Sequence, residues 1–223
     1  MDYAAARLNM VESQLRTNRV STPALIEAFE TVPRERFLPE SMRGIAYIDE
    51  DLPLGSPDQH GGGRHLMEPM VLARLLQAAA GQPGDVVLEI GSGSGYAAAI
   101  LARLAATVVA LESDPELARQ ANALLNELGA DNAVVVTGPL GEGYPKQAPY
   151  NVILIDGAVS AVPKAISDQL ADGGRLVAVV KEGVGLGRAI LAQRSGDHVA
   201  QRVLFDAATP YLPEFEAEPG FVF

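Results

Sequence analysis

"LEIGSGSGY", residues Leu88–Tyr96, decides the fold of this 223-residue chain. The run that leads into it, "DVVLEI", is short, apolar and β-branched, as a buried strand requires. The run that follows, "YAAAILARLA", has the length and composition of a helix. Gly91, Gly93 and Gly95, with Ser92 and Ser94 between them, let the backbone turn tightly and approach a ligand closely. A glycine loop alone is weak evidence, because any tight strand-to-helix turn uses the same residues. The dinucleotide fingerprint G-x-G-x-x-G/A needs a small residue at position 96, and Tyr96 stands there.

Outward from this loop the same alternation repeats. "TVVALE", "NAVVVT", "YNVILID" and "GRLVAVV" read as strands, and "DPELARQANALLNELG" and "VPKAISDQLADG" as helices. Upstream, Pro69 is placed to open a helix with the face Val71, Leu72, Leu75, Leu76 and Ala79, closed by Gly81. The expected fold class is α/β: a doubly wound, mainly parallel Rossmann-like sheet, with an N-terminal helical region and a C-terminal β-hairpin. The hairpin is read from "GRAILAQR", "SGD" and "HVAQRVLFD". Three zones result: residues 1–68, helical and then a long Gly- and Pro-rich connection; residues 69–186, the ligand-binding sheet domain; and residues 187–223, hairpin and tail. In the first zone Leu8, Val11 and Leu15 have helical spacing, and Pro23 follows a cap at Ser21 or Thr22.

Glu112 ends the strand after the glycine loop, 21 residues beyond Gly91. A carboxylate there can accept both hydroxyls of a ribose, so an adenosyl-type ligand is expected. Ser113 follows it. Asp114 and Pro115 read as a helix cap and first helical residue. Asp156 ends "NVILID" and is either a ligand contact beyond the strand ends or a turn carboxylate before Gly157.

Composition narrows the partners. Apolar residues make up 48%, enough for a sizeable core, and no stretch has the length or apolarity of a membrane span. The first residues do not read as a secretory signal. There are no cysteines, which excludes disulfides and thiolate chemistry and fits a cytoplasmic setting. A net charge of −11 gives no general attraction to nucleic acid. The loop "HGGGRHLMEP" carries His60, Arg64, His65 and Glu68. A metal is not expected there, since only Asp58 or Glu68 could add a third ligand, at no regular spacing. Arg64 and His65 could instead meet an anionic substrate ahead of the Pro69 helix, or the loop could be simply solvated.

Glu89 with the three glycines makes Glu-x-Gly-x-Gly-x-Gly, which resembles the class I methyltransferases that bind S-adenosylmethionine. "NMVESQLRT", "VPRERFLPE", "AYIDEDLPLG", "VVLEIGSGSGYAAAILA" and "QLADGGRLVAVV" together resemble the protein-L-isoaspartate O-methyltransferase family, to about residue 185. The resemblance implies methyl transfer from S-adenosylmethionine to the carboxylate of L-isoaspartyl residues in damaged proteins or peptides. It implies a cofactor pocket formed by Glu89, Gly91, Ser92, Gly93, Ser94, Gly95, Tyr96, Glu112, Ser113, Pro139 and Leu140. Met67, His65 and Asp156 would lie at the reacting groups. Two positions depart from the family. Met67 stands where the family has a serine placed to bond the substrate carboxylate, and a thioether cannot donate a hydrogen bond. Gly138-Pro139-Leu140 replaces Gly-Asp-Gly, whose aspartate is expected to contact adenine. The alternatives are a methyltransferase for another acceptor, or a cofactor-binding protein that has lost catalysis.

Overall fold

A computed structural model describes residues 1–55, 63–183 and 185–215. The elements, in chain order, are α1 (Tyr3–Met10), α2 (Pro23–Thr31), β1 (Leu52–Pro53), β2 (His65–Leu66), α3 (Pro69–Ala79), β3 (Val86–Ile90), α4 (Tyr96–Ala102), β4 (Thr107–Glu112), α5 (Pro115–Glu127), β5 (Ala133–Thr137), β6 (Tyr150–Val159), α6 (Lys164–Ser167), β7 (Leu170–Val180), β8 (Gly187–Ser195) and β9 (His198–Ala207).

Seven strands form one sheet in the order β5-β4-β3-β6-β7-β8-β9. The pairs from β5 to β7 are parallel, and β7-β8-β9 closes the sheet with two antiparallel pairs. The expected α/β class and C-terminal hairpin are therefore present. Gly196, in the left-handed region, makes the hairpin turn. The chain order reverses at β3, with β4 on one side and β6 on the other. A parallel sheet opens a crevice at such a point, outside the strand carboxyl ends.

Alternate residues of each strand feed two cores. Val87, Val108 and Leu154 join α3, α4 and the N-terminal helices on one face. Leu88, Val109, Ile153 and Ile155 face the other, which is covered by Ile166, Leu140, Leu212 and Phe215. The first face is thick. Leu72, Leu75 and Leu76 of α3 are all buried, each worth roughly 1.5–3 kcal/mol relative to exposure. The second face depends on a short helix and on residues from the C-terminal segment.

Several local expectations are corrected. Leu8 is exposed, while Met10, Val11 and Leu15 are buried, because α1 continues as a π-turn (Val11–Leu15) and then a 3-10 turn. The helix α3 is closed by Ala80 in the left-handed region, one residue before Gly81. Only Lys164–Ser167 of "VPKAISDQLADG" is helical. Leu170 already pairs with Tyr150, and the Tyr150 amide donates to the Gln169 carbonyl at 2.8 Å, so sheet pairing overrides the helical pattern. The strand β6 also runs past Asp156 to Val159. Its ladder with β3 stops at Ile155 and its register with β7 slips between Leu154 and Ala158, so Asp156 still sits where β6 leaves the central strand.

Candidate functional site

The crevice is walled by four strand ends. After β3, the loop Gly91–Gly95 has Gly91, Gly93 and Gly95 all at positive φ, the conformation the sequence demands of them. After β4 comes Glu112, after β5 comes Leu140, and within β6 lie Asp156 and Gly157.

Glu112 is fully buried. One oxygen accepts from the Gly93 amide at 2.8 Å. The other accepts from the amides of Ser113 at 2.8 Å and Asp114 at 3.0 Å. Those donors orient the carboxylate across the mouth of the glycine loop. Its remaining bonding capacity is taken by Arg64, whose Nε lies 3.0 and 3.2 Å from the two oxygens and whose Nη2 lies 2.9 Å from Oε1. Arg64 Nη2 also donates to Ser113 Oγ at 2.7 Å. The guanidinium is nearly fully buried.

Glu89 is the opposite case. It is wholly buried, no N–H or hydroxyl donor among the described residues reaches either carboxylate oxygen, and its hydrogen-bonding neighbour is the second acid, Asp156. Burial, then the nearby charges of Asp156 and Glu112, hold it well above the ordinary carboxylate range. Asp156 is pushed up to about 7 by burial first, then by Asp51, against the lowering effect of Arg34. Its Oδ1 is also unpartnered among the described residues. Two adjoining buried acids that share a hydrogen bond and receive none at Glu89 or at Asp156 Oδ1 from an N–H or hydroxyl donor among the described residues fit a ligand that brings positive charge and N–H donors. The chemistry of the wall thus suits an ammonium-bearing adenosyl ligand: acids at Glu89 and Asp156, a hydroxyl acceptor at Glu112 and a backbone donor at Leu140.

Met67 and His65 lie on the opposite bank, on and just after β2. With Asp51, Gly63, Asp156, Gly157 and Leu212 they line a cavity of about 10 Å³, room for one water at most. The expected neighbours Met67, His65 and Asp156 are therefore brought together. Met67 is buried, and its carbonyl accepts from Arg34 Nη2 at 2.8 Å. Arg34 also donates from Nε to the Ala46 carbonyl at 2.8 Å. This fully buried arginine was not legible as a site residue, since a cation inside "VPRERF" reads as surface. Glu68 is pushed up to about 7 by partial burial and by Asp49, Asp51 and Glu50. His60 and Asp58 lie outside the described residues.

Tyr96 departs from expectation. Its ring packs edge-on to Phe29 and Phe37, under Arg34 at 5.0 Å, so it ties the glycine loop to the N-terminal helices rather than facing the crevice. Ser94 borders a separate cavity of about 480 Å³, with Arg36, Arg43, Arg119 and Leu54 in its walls. Ser92 is buried, and Pro139 is exposed at the rim beside Leu140.

The crevice is also filled from within the chain. A Cβ built on Gly91 would lie 2.7 Å from Leu212 Cδ2, and one on Gly157 would lie 2.6 Å from Leu212 Cγ. On Gly93 it would meet Leu54 Cδ1 at 2.6 Å. The Leu140 amide donates to a Glu214 carboxylate oxygen at 3.0 Å. Neither Leu212 nor Glu214 had any sequence signal for this position.

Comparison with known proteins agrees with this architecture. Residues 6–214 match the family described as protein-L-isoaspartate(D-aspartate) O-methyltransferase. A relative from Anaeromyxobacter sp. (strain Fw109-5), named protein-L-isoaspartate O-methyltransferase 2, is 42% identical over 171 residues, covering 77% of this chain and 68% of its own. One from Methylorubrum extorquens (strain PA1), named protein-L-isoaspartate O-methyltransferase, is 38% identical over 201 residues, covering 90% and 85%. A solved protein-L-isoaspartate O-methyltransferase superposes with a TM-score of 0.80 at 25% identity over 92% of this chain, which spans 65% of that longer chain. A putative protein-L-isoaspartate O-methyltransferase from Plasmodium falciparum, in complex with S-adenosyl-L-homocysteine, superposes with a TM-score of 0.75 at 19% identity and shares the fold. No helix among the described residues is long and apolar enough to cross a membrane. The chain belongs to the protein-L-isoaspartate(D-aspartate) O-methyltransferase family.

Proposed function

We propose that this chain transfers a methyl group from S-adenosylmethionine to the side-chain carboxylate of L-isoaspartyl residues in damaged proteins. The observation that carries this reading is the crevice at the β3/β6 switch point. There Glu112 is aimed by three backbone amides, and Glu89 and Asp156 lie buried together with no N–H or hydroxyl donor among the described residues on Glu89 or on Asp156 Oδ1.

The bound cofactor supplies an electrophilic methyl on sulfonium. Glu112 would hold the ribose, Glu89 and Asp156 the amino-acid end, and the Leu140 amide the adenine edge. The attacking carboxylate has an ordinary pKa near ~4 and is ionised at neutral pH, so no residue of the chain has to remove a proton from it. When bound, the cofactor would give its methyl to the carboxylate oxygen and keep the bonding electron pair on sulfur, and Glu112, Glu89 and Asp156 would hold it in place for that transfer. The protein's part is alignment and exclusion of water. Met67 and Leu66, buried and fixed by Arg34, make an apolar wall for that step. His65, half-buried beside it in the same small cavity, is a polar group on this wall.

Net charge of −11 and the absence of cysteine support a protein acceptor rather than nucleic acid, and a reducing compartment such as the cytoplasm. Met67 favours a second reading, a methyltransferase for a different acceptor, because it removes a polar contact to the carboxylate. Incubation with radiolabelled S-adenosylmethionine and a matched pair of peptides separates them. The repair reading expects base-labile methyl ester on the isoaspartyl peptide and none on its aspartyl twin. Label on neither, with tight cofactor binding, would favour the second reading.

A further inference from the structure

Three of the positions assigned above, the hydroxyl acceptor, the glycine cradle and the backbone donor, are already met by a side chain of this chain. The hydroxyl acceptor Glu112 is bonded by the Arg64 guanidinium through three contacts of 2.9–3.2 Å. In the glycine cradle, Gly91 after β3 and Gly157 on β6, the space a Cβ would take is filled by Leu212. The backbone donor at Leu140 is bonded by the carboxylate of Glu214. A lid would lie over the ligand space. These side chains lie in it, since Leu212 occupies the space that a Cβ on Gly91 or Gly157 would take, the space the glycines leave beside their backbone.

The segment that brings two of them is pinned along β6. The Ala158 amide donates to the Pro210 carbonyl at 2.8 Å, and Leu212 returns a bond to the Ala158 carbonyl at 2.9 Å. Ser160 donates to the Phe215 carbonyl at 3.2 Å. Tyr211 Oη donates to the Lys181 carbonyl at 2.6 Å. Pro213 packs against Gly63, which adjoins Arg64, so the tail and the Arg64 loop support each other.

We propose that Thr209–Phe215, together with Arg64, is a built-in competitor of the cofactor, and that the cofactor enters by displacing Leu212, Glu214 and Arg64 from their subsites. The proposal rests on the cofactor assignment made above. Opening costs part of the binding energy, so the apparent dissociation constant is raised in proportion to the rarity of the open state. Loosening the competitor therefore tightens the cofactor, whereas a tail that helps to hold the ligand predicts the reverse.

The test is calorimetric titration of the full chain with S-adenosylhomocysteine, for wild type, Leu212→Ala and Glu214→Ala. Circular dichroism confirms that each variant is folded. Glu214 is exposed, so its variant keeps the fold even if loss of Leu212 weakens the second core. The expected result is tightening by about tenfold or more for Leu212→Ala and by a few-fold for Glu214→Ala. In wild type, ligand-induced loss of amide-exchange protection over 209–215 is expected at the same time. Weaker or unchanged binding in the variants overturns the competitor while leaving the cofactor site in place. It would make Glu214 a ligand contact. Tight wild-type binding with 209–215 still protected overturns it likewise. No binding by any of the three removes the cofactor assignment and the competitor together.

Discussion

The two banks of the crevice are built by different physics. The sheet bank consists of Gly91–Gly95, Glu112, Leu140 and Asp156, three of them at or beside buried strands and Leu140 after the half-exposed edge strand β5. Its side chains are aimed by backbone amides a few residues away, as Glu112 is by Ser113 and Asp114. The covering bank consists of Leu54, Arg64, Met67, Leu212 and Glu214, carried on a two-residue ladder and an irregular segment. Met67 is held by Arg34 and Leu54 by Arg64, whereas the Arg64, Leu212 and Glu214 side chains are held by contacts with the sheet bank itself. The first bank keeps its shape whatever fills the crevice. Those three side chains depend on that partner, which is what makes them replaceable occupants.

The most drastic way to break the contrast is at the Arg64–Glu112 pair, where the banks meet. Glu112→Ala leaves a buried guanidinium without its carboxylate and is expected to cost about 3–5 kcal/mol in urea unfolding. Arg64→Ala leaves Glu112 with three backbone donors and is expected to cost under about 2 kcal/mol. Equal losses would mean that Glu112 is not pre-aimed by its own strand end. Next in size is Arg34→Met. It removes two buried bonds to the Ala46 and Met67 carbonyls and a ring contact with Tyr96, for about 3 kcal/mol, with loss of cooperativity at the covering bank.

The pH dependence sharpens the difference through Glu89 and Asp156. Both have folded pKa values raised above the unfolded ones, so between about pH 4 and 7 the folded chain binds more protons than the unfolded chain. Stability without ligand therefore falls as pH rises through that window. A thermal melt is expected at lower temperature at pH 8 than at pH 5, and Asp156→Asn should flatten the trend. Affinity for a ligand carrying an ammonium group moves the other way, strengthening as Asp156 ionises through about pH 7. The smallest effect is expected from Met67→Ser on the covering bank. Restoring a donor should raise kcat/KM on an isoaspartyl peptide by up to about tenfold. A fall would mark Met67 as part of a changed acceptor site.

The same division explains what could be read from sequence. The glycine loop, Glu112 and the parallel order were legible because each rests on a local pattern: β-branched runs, positive-φ glycines and a carboxylate at a strand end. Tyr96 begins the helix after the loop, with its ring against the N-terminal helices. Its ring direction is set by Phe29 and Phe37, residues far away in the chain. Arg64 meets Glu112 across 48 positions, and Leu212 reaches Gly91 across more than a hundred. No periodicity records such contacts. The short helix α6 was overread for a related reason, since pairing of Leu170 with Tyr150 is a tertiary event that outweighs local helical preference.

The central claim is that Glu112 is a ribose acceptor held by Arg64 until the cofactor arrives. A crystal structure of the full chain with S-adenosylhomocysteine tests it most directly. The account predicts both ribose hydroxyls on Glu112, Arg64 released from it and Leu212 out of the Gly91–Gly157 cradle. A ligand bound elsewhere, or Glu112 still bonded to Arg64 with the nucleoside in place, would contradict it.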